Sequence, residues 1–157
     1  MINIMKVKNS IAGLVAFTLF ETLLVLLCCS VFLLLPVLSI QSWQRKIEVQ
    51  QFLTSFEKNI LFTQQIAIVN GIDTKLTLNE DKQEIIFYST KQIADTTKLM
   101  VPEALKVSGP KQISFKKTTG NSGNLSKFIF KWQAEKQAIE YQFQLGSGRF
   151  VKNIIEL

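Results

Sequence analysis

The chain has 157 residues, room for one domain with an appendage, and its 47% hydrophobic against 19% charged content excludes a disordered tail. Lysine and arginine number 18 against 12 acids, a net charge of +6, and the absence of histidine removes His-based triads, Cys–His dyads and His metal sites together. The two cysteines, Cys28 and Cys29, are adjacent in an apolar run and cannot staple distant segments, so neither a disulfide framework nor an enzyme is expected.

From Ile11 to Ile40 the chain is apolar apart from a single charge, Glu21. The uninterrupted part, Thr22 to Ile40, holds 19 residues (40 − 22 + 1). At about 1.5 Å per residue it predicts a helix of roughly 28 Å, long enough for a bilayer core of about 30 Å. A cleaved secretory signal fits poorly, because the run is too long and the residues from Val37 to Trp43 offer no small-residue cleavage site. A lipoprotein signal fits no better, since Leu26 and Leu27 precede Cys28.

Glu21 has two readings. At the headgroup boundary it costs little; deeper in the bilayer an acid costs about 2.5–3.5 kcal/mol and calls for a partner. Pro36 also has two: a bend or local opening of the helix, or its end at the membrane surface. Lys6 and Lys8 before the span are balanced by Arg45 and Lys46 after it, so charge alone leaves orientation open.

Beyond the span, Trp43, Ile47, Val49, Phe52, Leu53, Phe56 and Ile60 recur at helical spacing, predicting an amphipathic helix whose apolar stripe needs cover. Asn70-Gly71 breaks it. Short strands follow at Glu84–Ser89, Gln112–Lys117, Leu125–Gln133, Gln137–Leu145 and Arg149–Ile155, with apolar residues alternating along them. The turn residues Gly146-Ser147-Gly148 connect the last two. Consecutive strands with one apolar face make an antiparallel meander able to pack on the helix. The stretch Ala94 to Pro110, with two prolines and no period, reads as a loop. The fold class expected is α+β.

A lysine-bearing leader ending at Ala16, then Phe17-Thr18-Leu19-Phe20-Glu21 and an apolar helix, resembles the signal of type IV pilins and pseudopilins. The resemblance implies that a prepilin peptidase on the cytoplasmic side cuts between Ala16 and Phe17 and that Phe17 is then N-methylated. Glu21 becomes the fifth mature residue (21 − 16). Its carboxylate would face a free amine in hydrocarbon, each lowering the other's burial cost, so Glu21 would set register between subunits. Pro36 falls where pilin helices commonly kink. Two departures stand: Ala16 replaces the usual glycine, and Ile11 to Val15 separate the lysines from the cut.

The segment from Gln112 onward is similar to the ComGD-type minor pilins of the Gram-positive competence pilus. The likeness rests on Gly120-Asn121-Ser122, on Ala138-Ile139, Tyr141-Gln142, and on the Leu145-Gly146-x-Gly148 turn. It implies a leader over residues 1–16, a transmembrane assembly helix over 17–40, an amphipathic helix over 41–69 and a β-sheet region over 70–157. It further implies a low-abundance subunit, first in the cell membrane as a single-pass protein with a cytoplasmic amino terminus, then in a surface pilus. Its partners would be the peptidase, other minor pilins and the major pilin, in a machine that takes up DNA. No cofactor is implied.

Lys116, Lys117, Lys127 and Lys131 admit two readings: a solvated sheet face using lysines against edge pairing, which is favoured, or weak sequence-blind contact with DNA phosphates. A pseudopilin of a secretion system and a membrane-tethered binding module with an uncleaved anchor stay open beside the competence subunit.

Overall fold

The computed structural model describes residues 8–89, 96–123 and 125–157, and omits the side chains of 8–17, 34–39 and 41. The chain divides into two units, one ending at Gln44 and the other spanning Arg45–Leu157. One helix, α1, covers Lys8–Val69, 62 residues. It runs on through Pro36, so the reading of Pro36 as a helix end falls. Among the described residues no helical segment is long and apolar enough to cross a membrane. The part of the apolar run with described side chains, Thr18 to Leu33, is shorter than the expected span, whose residues 34–39 lie outside them.

In the second unit, α1 buries Val49, Phe52, Leu53, Phe56, Ile60, Thr63 and Ala67, which recur at helical spacing along one face. Trp43, counted in that stripe from sequence, is 63% exposed instead, and Ile47 is only half-buried. The helix stops at Val69; Asn70 N donates to Ile66 O at 2.9 Å, and Gly71 takes the left-handed φ of 61° that glycine tolerates.

Among the described residues eight strands follow: β1 Thr74–Asn79, β2 Glu84–Tyr88, β3 Thr96–Met100, β4 Leu105–Ser108, β5 Gln112–Phe115, β6 Lys127–Trp132, β7 Gln137–Phe143 and β8 Phe150–Glu156. They form two four-stranded antiparallel sheets, in the orders β3-β2-β1-β5 and β4-β6-β7-β8. The α+β class holds, with a β part of two sheets where the sequence suggested one. Ala94–Pro110 is corrected: its described residues hold β3 and β4. Thr96–Met100 is mostly exposed, which erases the apolar alternation that marks a strand, and Leu105–Ser108 is only four residues long. The expected meander is present as β6-β7-β8, whereas β5 joins the other sheet beside β1.

Both sheets turn their apolar faces to one core. Leu76 stands opposite Phe87 and Ile113, and Leu78 opposite Ile85; across the second sheet Phe128 faces Tyr141 and Phe130 faces Ile139. The centre is Phe56. Its ring lies 5.1 Å from Phe130 and from Tyr141, 5.6 Å from Phe128 and 6.2 Å from Phe87, so one helix residue touches both sheets. The edge-to-face angles, 72° to 77° for the three second-sheet rings, are those aromatic quadrupoles favour.

Candidate functional site

In the first unit, Leu23, Leu24, Val25, Leu26 and Leu27 are consecutive and exposed, so they surround the helix instead of marking one face. A helix apolar on every side is one that lipid or other protein must cover. Thr22 Oγ1 donates to Leu19 O at 2.9 Å and Ser30 Oγ to Leu26 O at 2.5 Å, which satisfies both hydroxyls within the helix. Cys28 and Cys29 are free and exposed. Glu21 is exposed, and no ion pair among the described residues includes it. Ala16, Phe17 and Pro36 all fall within α1, their side chains outside the described residues.

In the second unit, two glycine-bearing turns meet at one glutamine. Gln64 Nε2 donates to Gly120 O at 3.0 Å and to Ser147 O at 3.1 Å. Thr118 N donates to Ala67 O, and Gly120 N to Lys116 O, closing the first turn onto the helix end. At Gly148 the fit is tightest: a Cβ there would stand 2.1 Å from Gly120 O, and its φ of 64° is left-handed. Thr74 Oγ1 donates to Thr63 O at 2.9 Å and Asp73 Oδ1 accepts from Lys117 N at 2.7 Å, tying β1 and the end of β5 to the same region.

A second polar junction joins α1 to the other sheet. Tyr141 Oη donates to Glu57 Oε1 at 2.6 Å, and Lys152 Nζ donates to the same oxygen at 2.9 Å. The Lys152 ammonium lies 5.6 Å from the centre of the Tyr141 ring. Burial alone would raise the Glu57 pKa, but the hydrogen bonds from Lys152 and Tyr141 and the Lys152 charge outweigh it and hold it below the ordinary 4.5. Burial, followed by the Glu57 bond and charge, pushes Tyr141 well above its ordinary 10.0, so it stays a neutral donor. Sequence reasoning missed Gln64, Glu57 and Lys152. Glu57 and Lys152 fall on polar positions that no periodicity distinguishes, and Tyr141 read simply as a core-facing residue.

The four lysines lie on different sheets. Lys116 and Lys117 follow β5, whereas Lys127 and Lys131 share the outer face of β6. Lys127 pairs with Glu140, and Lys131 stands directly opposite Lys106. The remaining ion pairs among the described residues are Lys46–Glu135 at 2.9 Å, Lys98–Glu84 at 3.8 Å and Lys152–Glu57. Among the described residues no group of three His, Cys, Asp or Glu side chains comes together as a metal site. An open groove lined by Ile47, Gln50, Gln51, Thr54, Ser55 and Lys58 brings together no acid–base pair.

No family model matches the chain. Over 141 residues it is 36% identical to the competence protein ComGD of Streptococcus pneumoniae (strain ATCC BAA-255 / R6), covering 90% of this chain and 80% of that protein. The chain belongs to the ComGD family. The minor pseudopilin EpsH from the type 2 secretion system of Vibrio cholerae aligns with 71% of this ComGD-family chain and 95% of its own, with a TM-score of 0.48 and 15% identity. The Gly120-Asn121-Ser122 loop and the Leu145-Gly146-x-Gly148 turn, two of the ComGD-like motifs, are the ones Gln64 holds together.

Proposed function

We propose that this chain is a minor pilin of a competence type IV pilus, required to initiate or assemble the pilus and so to take up extracellular DNA in natural transformation. The observation that carries this reading is the identity to a competence protein across nine-tenths of the chain. Residues 1–16 act as a leader that a prepilin peptidase removes, leaving an N-methylated Phe17. Residues 17–40 hold the subunit in the cell membrane, amino terminus inside, until it enters a surface pilus with other minor pilins and the major pilin. The all-round apolarity from Leu23 to Leu27 supports this assignment, because such a helix has no intramolecular cover.

Glu21 meets the amine of Phe17 in a neighbouring subunit and sets its register, and Pro36 lets the helix bend during assembly. Residues 41–69 and 70–157 form the part that stands outside the membrane. DNA contact through Lys116, Lys117, Lys127 and Lys131 is weak at most, since Lys127 is neutralised by Glu140. The first test is the amino-terminal residue and intact mass of the membrane-extracted chain, with and without the peptidase, beside the transformation frequency of a deletion strain. Methylated Phe17 only with the peptidase, together with lost transformation, is expected. An intact Met1 in both strains removes the pilin processing, and unchanged transformation removes the competence role.

A further inference from the structure

The strand β8 ends the second sheet and pairs with β7 alone. At seven residues it is longer than β4, the four-residue strand at the opposite edge. Leu157 N donates to Lys136 O, and Arg149 O accepts from Gln144 N, so the odd-numbered residues from 149 to 157 aim their backbone groups at β7. By alternation, Phe150, Lys152, Ile154 and Glu156 aim theirs outward. None of those outward groups makes a backbone hydrogen bond among the described residues. The pairing with β7 runs unbroken from Phe150 to Glu156, without proline or bulge, and Ile154 is 63% exposed although it faces the same side as buried Ile139. Val151, Ile155 and Leu157 are exposed on the other side. An edge of this kind lacks most of the usual protection against strand addition.

We infer that β8 is a homotypic docking edge, which a second copy of this chain covers with its own β8, antiparallel, about a two-fold axis at Ile154. The occupant follows from charge and register. With Ile154 opposite Ile154, Lys152 stands opposite the second copy's Glu156 twice over, and Val151 opposite Leu157 on the outer face. The outward backbone groups of residues 152, 154 and 156 all find partners in that register. Sliding by two residues sets Lys152 against Ile154 and Phe150 against Glu156, which loses both charge pairs. Lys152 already gives one donor to Glu57, and its ammonium keeps two for the incoming carboxylate. The pairing joins two four-stranded sheets into one of eight and closes both exposed edges. The two-fold sets the two copies of the helix along β7 antiparallel, so the pairing joins chains that do not share one membrane, and it does not rest on the competence reading.

The test is disulfide trapping in the full-length chain in detergent, with Cys28→Ser and Cys29→Ser to remove the native thiols. Ile154→Cys meets itself across the axis at the roughly 5.5 Å Cα spacing of a hydrogen-bonded pair, within disulfide reach. Asn153→Cys, which opposes residue 155, is the register control. Ile154→Cys is expected to form a covalent dimer about tenfold faster than Asn153→Cys. Adding Glu156→Lys, which sets lysine against lysine twice, should slow it about tenfold again. Equal rates for the two cysteines, indifference to Glu156→Lys, or no dimer at all overturns the inference. So does the Ile154→Cys chain linking in cells to a strand of a different protein in place of a second copy.

Discussion

Two stretches of the same helix differ in how their apolar residues are arranged, and that arrangement decides what each must do. Between Val49 and Ala67 one apolar face, carrying Val49, Phe52, Leu53, Phe56, Ile60 and Ala67, is buried under the two sheets, while Leu61 and Phe62 on the other side are exposed. Between Leu19 and Leu33 they fall on every face and are exposed, Phe32 at 73%. Helicity is common to both. A stripe can be closed by elements of the same chain, whereas an all-round apolar surface needs lipid or other subunits.

The comparison is broken most severely at Phe56. Phe56→Ala removes the ring that touches both sheets and should cost about 3–5 kcal/mol. Denaturant unfolding of the full chain, followed by near-ultraviolet circular dichroism, measures it; a loss below about 1 kcal/mol would mean the two sheets do not depend on a common centre.

An intermediate, pH-dependent effect is expected at Glu57. Its pKa is lowered by folding, so the carboxylate's contribution is present above the ordinary 4.5 and is lost as pH falls through the folded value. Tyr141 is raised, so the neutral phenol's contribution is present below 10.0 and is lost as pH rises beyond it. Wild type should therefore melt above Glu57→Gln at pH 7, with the gap closing under acid. Melting curves from pH 3 to 7 check this, and a gap that stays constant across the range would remove the charged junction from the account.

The smallest effect sharpens the contrast from the other side. Phe32→Ser should leave the unfolding of Arg45–Leu157 unchanged within about 0.5 kcal/mol, because Phe32 is exposed and contributes to no core. The same unfolding signal reads it, and a clear destabilisation would give the first stretch an intramolecular role.

Much of the fold is legible in residue periodicity. The period of the helix selects Val49, Phe52, Leu53, Phe56 and Ile60, and alternation finds β2, β5, β6, β7 and β8, since burial on one face leaves that mark on the sequence. β1 escapes notice although Leu76 and Leu78 alternate, because threonine, lysine and asparagine surround them. The functional likeness is legible for a different reason, lying in short motifs at Ala16–Glu21, Gly120–Ser122 and Leu145–Gly148.

By itself the sequence determined the long helix and its buried stripe, the apolar faces of β2, β5, β6, β7 and β8, and that one stretch of helix has nothing in its own pattern to hide against. Only the tertiary structure decided that β5 joins β1 and not β6, that Gln64 binds turns 56 and 83 residues away, and that Glu57 receives Tyr141 and Lys152 from 84 and 95 residues away. Periodicity reports the face a residue shows and carries no information about which distant segment will meet it. A hydrogen bond needs its two atoms within about 3 Å, a condition set only once the whole core has packed.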